Sequence, residues 1–372
     1  MDDSRRPRSE TNGLSILRSK GPPNDGWDEF LASSRLGHFY QTSMWAQAKR
    51  LDGWESTLEM VSFGGQLVGG FQILMRSISL GKIGIVLKGP ILSSASSDMR
   101  LFFASRLMKA IKANRLRALI VQPADRDEDM SEALKVTGFL EFQMGDMIKE
   151  SSLQIDLRGD ESAIFGKVRR QKRQNIAAAL RNEVKFREGN REDLHKFFVF
   201  MVETCKRQNV RPSPSQENFL IDLWDIFSPK GLIKLFFAQC EGRDISGMIV
   251  LPFSDIAYFW KFGWSGESAN KRPNDFLYWE VMKWAKNHGY IYADLGAIDN
   301  CLAEVIKHNG PITEEMAKSY SYFKLGFGAQ IVDLPKGYIC FPNRIVRTAY
   351  RCLRSYADSS RFFRNRILLR GE

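Results

Sequence analysis

Histidine and cysteine are scarce in this chain, and neither is arranged for metal or nucleophile chemistry. Only His38, His195, His288 and His308 occur among 372 residues, with no His-Glu-x-x-His and no Gly-x-Ser-x-Gly elbow. A zinc hydrolase and a Ser-His-Asp triad are therefore not expected. The five cysteines, Cys205, Cys240, Cys301, Cys340 and Cys352, are odd in number and lack any Cys-x-x-Cys or Cys/His spacing. That indicates neither a disulfide framework nor a zinc site; no metal is expected, and a reducing cytoplasm is the simplest compartment. No run approaches the roughly 20 apolar residues of a membrane span, so any membrane contact is expected to be peripheral. Residues 1–26 contain no apolar core of a signal peptide and read as a flexible leader. Acid is the scarcer charge: 43 Asp plus Glu against 54 Lys plus Arg leaves +11, a bias toward phosphates, RNA or an acidic membrane surface that selects none of them.

What the chain does have is one pattern written twice. Gly65 to Leu74 aligns without a gap with Gly242 to Leu251, each a tight turn entering a buried strand. Met108-Lys109-Ala110-Ile111-Lys112, followed by the apolar run Ala118 to Val121, matches Met282-Lys283-Trp284-Ala285-Lys286, followed by Ile291 to Leu295. Each copy closes on a Gly-Phe pair, Gly138-Phe139 and Gly326-Phe327, and the second carries extra residues between Leu295 and Gly326. Strands alternating with helices imply an α/β (α+β) architecture with a central sheet in each copy. The expected division is a leader at 1–26, a first domain at 27–160, a second at 161–343 and an arginine-rich tail at 344–372. In that tail Arg344, Arg347, Arg351 and Arg354 recur at helical spacing, with Val346, Tyr350, Leu353 and Tyr356 gathering on another side. A basic amphipathic helix at an anionic membrane and a tail packed back on a domain both fit.

Three groups of residues could carry chemistry. On a helix, Phe165, Val168, Ile176 and Ala179 form an apolar stripe with Lys172 in its middle and Arg169 at its edge. A buried cation there needs an anion; phosphate or RNA contact by Arg169, Lys172 and Arg173 is one reading, and a snorkelling, solvated face is the other. Lys88-Gly89-Pro90, Lys324-Leu325-Gly326-Phe327-Gly328 and the aromatics Tyr320, Tyr322 and Phe323 form a second group. A lysine beside closely packed glycines can deliver a point charge to a phosphate or a developing oxyanion, although the same glycines also serve a plain turn. Asp294, at the end of a predicted strand, and Asp299, at the start of the extra segment, are the candidate acids, as general bases or as turn formers.

Taken together, Tyr40-Gln41-Thr42-Ser43-Met44-Trp45-Ala46-Gln47-Ala48-Lys49 with Gly53-Trp54, Gly69-Gly70, Lys88-Gly89-Pro90-Ile91-Leu92, Lys172-Arg173-Gln174-Asn175-Ile176, Asp294-Leu295-Gly296 and Phe323-Lys324-Leu325-Gly326-Phe327-Gly328 resemble the Fem family of aminoacyltransferases, from about Phe39 to Asn343. The resemblance implies twin acyltransferase-like (GNAT) domains, each a mixed sheet flanked by helices. It implies transfer of an aminoacyl group from charged tRNA to an amine of a nucleotide- or lipid-linked peptidoglycan precursor, without a cofactor. It also implies a precursor diphosphate held near Lys49 and a reaction centre at Lys324. Trp45, Lys88 and Tyr322 are further substrate-binding candidates, and Asp294 and Asp299 remain the candidate acids from their own positions. An activated ester needs alignment, proton removal and oxyanion stabilisation, and neither a covalent nucleophile nor a metal. A GNAT-type N-acyltransferase using acyl-CoA on an envelope precursor is a second reading, although neither copy shows an Arg/Gln-x-x-Gly-x-Gly/Ala loop at the expected place. A non-catalytic RNA- or membrane-binding protein of the same fold is a third. The expected location is cytoplasmic, with peripheral contact at the inner membrane face through 344–372.

Overall fold

Long alternating apolar segments drive two separate sheets, each packed around its own core. The computed structural model describes residues 13–359 except 20, 80, 95 and 143–148. The chain divides into two compact units: the first runs to Phe142 and resumes at Gly337–Ala357, and the second fills the interval up to Lys336. In the first unit the strands are β1 (Leu14–Ser19), β2 (Glu55–Phe63), β3 (Gln66–Ile78), β4 (Gly81–Leu87), β5 (Ile91–Leu92), β6 (Leu116–Gln122) and β7 (Leu140–Phe142). Its helices are α1 (Asp25–Ser33), α2 (Ser43–Leu51), α3 (Ser97–Ala113) and α4 (Met130–Val136). The second unit holds β8 (Ser151–Asp156), β9 (Lys185–Glu188), β10 (Lys234–Cys240), β11 (Arg243–Phe253), β12 (Ile256–Trp264), β13 (Tyr292–Ala297) and β14 (Gln330–Asp333). Its helices are α5 (Glu161–Lys167), α6 (Arg170–Arg181), α7 (Leu194–Arg207), α8 (Glu217–Phe227), α9 (Pro273–Asn287), α10 (Asn300–Lys307), α11 (Glu314–Lys318) and α12 (Tyr320–Leu325). The chain then adds β15 (Gly337–Cys340) and α13 (Arg344–Ser359) to the first unit.

The duplication is visible strand by strand. The first sheet reads β1-β2-β3-β4-β6-β15-β7, and the second, taken from its other edge, reads β9-β10-β11-β12-β13-β8-β14. In each, a hairpin strand runs antiparallel to its neighbour and the next pair, β4 with β6 or β12 with β13, is parallel. A parallel pair needs a crossover, and α3 and α9 supply it. The sixth strand of each sheet comes from the chain that follows the other copy. β8, directly after the first repeat, lies between β13 and β14, and β15, after the second, lies between β6 and β7.

This arrangement corrects the expected boundaries. β8 falls before residue 160 yet buries Leu153 and Ile155 in the second core, and residues 337–340 fall inside the expected second domain yet bury Tyr338 and Cys340 in the first. Part of the segment expected to be a leader is a strand instead: Leu14–Ser19 pairs with β2 from Leu14 opposite Phe63 to Ser19 opposite Leu58. Backbone pairing, not an apolar face, holds this edge strand, because four of its six side chains are exposed. In the second unit α7 lies so close to β12 that a Cβ on Gly263 would meet the Met201 backbone nitrogen at 2.5 Å. A side chain there would lift the helix off the sheet. The tail begins as the expected helix, but Tyr350 is buried against Phe142 and Phe341. Arg344 and Arg351 are exposed, and Leu353, Arg354 and Tyr356 lie outside the residues whose side chains are described.

Candidate active site

In the second unit a strand end and a short helix build one polar cluster. Ser319 caps α12 through Tyr322 N–H, and the helix directs Lys324 inward until only 4% of it is exposed. Its Nζ donates to the carbonyl oxygens of Leu295 at 3.1 Å and Ala297 at 2.5 Å. Those carbonyls converge because Gly296 sits at φ +80°, a left-handed conformation open to glycine. Burial lowers the Lys324 pKa from its ordinary value to about 8; the Asp294 charge opposes that shift and Lys149 adds to it. Asp294 is itself buried, and accepts from Ser152 Oγ at 2.6 Å, Gln154 Nε2 at 3.0 Å and Gly296 N–H at 2.7 Å. A carboxylate that already accepts three hydrogen bonds is poorly placed to collect a proton, which argues against the general-base expectation for Asp294. Asp299 is corrected as well: it caps α10 by accepting from Leu302 N–H at 3.0 Å, and its side chain is committed to the helix start.

Lys324 opens on a cleft of about 280 Å³ that also meets Thr204, Cys205, Arg211, Lys261 and Tyr320. A neighbouring depression of about 250 Å³ shares Thr204, Gln208, Phe262 and Tyr320 and adds Arg207 and Trp264. The Arg207 guanidinium lies 4.8 Å from the Trp264 ring and the Lys261 amine 5.0 Å from Trp260. Tyr278 and Tyr320 share a hydrogen bond between their hydroxyls, and burial raises the pKa of both. Sequence reasoning did not single out Ser152, Gln154, Arg207 or Lys261. The one available signal was the period-two aromatic row Tyr258, Trp260, Phe262 and Trp264 on β12.

The basic segment divides between the two readings left open for it. Lys172 Nζ pairs with Asp275 at 2.7 Å and lies 3.3 Å from the centre of the Phe323 ring, and burial lowers its pKa while Asp275 opposes the shift. It therefore ties α6 to α9, which corrects its assignment to an external phosphate. Arg169 is exposed, with its guanidinium 4.4 Å from the ring centre of Tyr322, and Arg173 is half-buried. Tyr322 is thus covered on one face by a cation.

The first unit holds the other candidates. Lys49 pairs with Asp52 at 2.9 Å and lies 5.9 Å from the ring centres of both Trp45 and Trp54. Arg76 lies 5.5 Å from the Trp54 ring, whose buried indole N–H has no acceptor among the described residues. Two cations around an unsatisfied donor suit an anionic group. Trp45 is 5% exposed and packs edge-on to Phe39 and Tyr40, so its expected substrate contact is replaced by a core role. Lys88 is also buried, at φ 56°, with its amine 2.6 Å from Asp125. Beside it His38 is held neutral, first by burial and then by the lysine charge. Lys88 is spoken for by Asp125 and does not stand open as the expected point charge.

Comparison with known proteins agrees with this organisation. The acetyltransferase (GNAT) domain pattern matches residues 166–302. The lipid II:glycine glycyltransferase of Staphylococcus haemolyticus (strain JCSC1435) is 21% identical, over 77% of this chain and 86% of the relative. That of Staphylococcus aureus (strain MRSA252) is also 21% identical, over 82% of this chain and 75% of its own length. Among solved structures, the crystal structure of FemX superposes with a TM-score of 0.77 at 16% identity, covering 91% of this chain and 99% of that one. A tandem GNAT protein from the clavulanic acid biosynthesis pathway superposes with a TM-score of 0.51 at 10% identity, covering 89% and 99%. Both structural likenesses speak to the fold.

Proposed function

For this Fem-family protein of duplicated GNAT-like fold, we propose the transfer of an aminoacyl group from charged tRNA to an amine of a lipid- or nucleotide-linked peptidoglycan precursor. The observation that carries this reading is the buried Lys324 amine, held on two backbone carbonyls at the mouth of a cleft. In the reaction the acceptor nitrogen attacks the ester carbon and the carbonyl π electrons move onto oxygen. The C–O bond to the ribose then breaks, the nitrogen gives up a proton, and the departing ribose oxygen gains one, so ester plus amine become amide plus hydroxyl. Lys324, charged below about pH 8, donates to the oxyanion, where its burial strengthens the interaction. Asp294 keeps that charge in place.

A polyanionic donor with a single-stranded end suits a groove that mixes cations with aromatic faces. Arg207 with Trp264 and Lys261 with Trp260 supply that mixture beside the cleft, and the exposed Arg169 and the half-buried Arg173 are the remaining phosphate candidates. Lys49 with Arg76 beside Trp54 is the candidate holder of the acceptor's diphosphate. The exposed Ile345, Val346, Arg344 and Arg351 of α13 form a surface suited to an anionic membrane. No described helix is long and apolar enough to cross one.

The deciding assay offers purified protein labelled aminoacyl-tRNA or acyl-CoA with lipid-linked and nucleotide-linked precursors. Label passing from tRNA to the precursor amine is the expected result, and transfer from the thioester alone would select the CoA reading. Replacing Arg169 and Arg173 by Gln should reduce the slope of log affinity for tRNA against log salt by roughly 1.4 to 1.8. Co-sedimentation with anionic vesicles tests the tail: if the full chain stays in the supernatant, the membrane contact is wrong.

A further inference from the structure

Lys324 and Asp294 are arranged for aiming, not for pairing. An ammonium and a carboxylate that share a buried site gain most from direct charge-assisted contact. Here the hydrogen bonds of each go elsewhere. The carboxylate is taken by Ser152, Gln154 and the Gly296 N–H, and the ammonium by the Leu295 and Ala297 carbonyls. Strand register explains how. Gln154 stands opposite Asp294 and Ser152 opposite Ala297, so two steps on β8 span three on β13 and the strand bulges between them. Ser152 and Gln154, two apart, point to one face, and that face receives the Asp294 side chain.

We propose that Ser152 and Gln154 are positioning residues for the transfer reaction: they anchor the Asp294 carboxylate, thereby fix the 294–297 bulge that turns two carbonyls onto Lys324 Nζ, and so direct the lysine's third N–H into the cleft. This rests on the reading of Lys324 as the reacting-centre lysine. The first copy of the fold shows that the arrangement is not required to build the sheet. There β6 pairs with β15 without a register shift over the paired residues, Tyr338 opposite Val121, Ile339 opposite Ile120 and Cys340 opposite Leu119, so two isoleucines face each other where the second copy sets Gln154 opposite Asp294. Gly296 completes the device: a Cβ there would stand 3.9 Å from Lys324 Nζ on a backbone at φ +80°.

The test uses the full chain with Ser152→Val and Ser152→Thr, two β-branched side chains of similar shape of which only threonine keeps the hydroxyl. Ser152→Val should lower kcat about tenfold or more with KM for both substrates nearly unchanged, the signature of an interaction made in the transition state, and Ser152→Thr should restore it. Equal kcat in the two variants, or a loss that follows melting temperature, would overturn the proposal. A second readout is independent of any reaction. In protein carrying ¹³Cε-lysine, assigned by Lys324→Arg, the Lys324 titration should move upward by about half a unit or more in Ser152→Val, because a released carboxylate closes on the ammonium. No shift, or a downward one, would sink the cradle even if the substrates were misassigned. Full turnover in Lys324→Ala would instead sink the catalytic reading and leave the titration result standing.

Discussion

The two halves of this protein share a strand order and differ in where they carry charge. In the register set by Met108 and Met282, Asp275 of the second copy corresponds to Leu101 of the first, and Asp294 to Ile120. Two residues ahead of the closing Gly-Phe pair, Lys324 is buried while Val136 is 67% exposed. Shared features are what the sheet requires, and features of one copy alone are additions to it. At these places the second copy has accepted buried charge where the first has apolar side chains; the first buries its own charge elsewhere, in close ion pairs such as Arg106 with Glu59 and Arg100 with Asp127, and buried charge is costly unless it is paired or used. Lys172 is paired, with Asp275. Lys324 is held on neutral carbonyls with its carboxylate at one remove, which is the better mark of a working site.

The comparison can be broken at four places. The largest expected effect is structural: Asp275→Ala strands the Lys172 ammonium and should cost about 3–5 kcal/mol in urea denaturation, whereas Lys172→Met with Asp275→Leu should restore most of it. Leu101→Ala in the first copy should cost only about 1 kcal/mol. If Asp275→Ala is no worse than Leu101→Ala, the pair is ornamental. Next, Lys324→Met should lower kcat by about 10²–10³-fold, equivalent to about 2.7–4 kcal/mol, without loss of melting temperature, while Val136→Ala changes neither. An inactive Lys324→Met that also fails to fold would make the lysine structural.

Titration sharpens the same contrast. The folded-state pKa of Lys324, about 8, lies below its ordinary 10.5, so between those values the unfolded chain binds the extra proton. Stability should therefore rise with pH across that window, by on the order of 3 kcal/mol at most. Turnover should fall as pH climbs through about 8, as the charged form is lost. Lys324→Met should remove this contribution to the stability profile, and an unchanged slope between pH 8 and 10.5 would mean that the lysine is not desolvated in solution. The smallest effect belongs to the first unit: Lys49→Ala should raise KM for the acceptor roughly tenfold, about 1.4 kcal/mol, with kcat little changed. An equal rise for the donor would remove Lys49 from the acceptor site.

The duplication, the alternation of strands and helices, the half-buried lysine of the apolar stripe and the Lys324 motif were all legible in the sequence, because periods of two and 3.6 and a repeated phrase are local properties of a chain. The sequence also set the absence of nucleophile and metal spacings, and it suggested the family. What it could not specify was partnership. Asp275 as the anion for Lys172, Asp125 for Lys88, and the roles of Asp294 and Asp299 depend on neighbours up to 142 residues away. The exchanged strands β8 and β15 carry their own burial pattern but nothing that names the sheet they join. That choice was made by tertiary structure, since strand addition is rewarded only when a distant edge is already present to receive it. The short strand that corrected the domain boundary is also the one that brings Ser152 and Gln154 to Asp294.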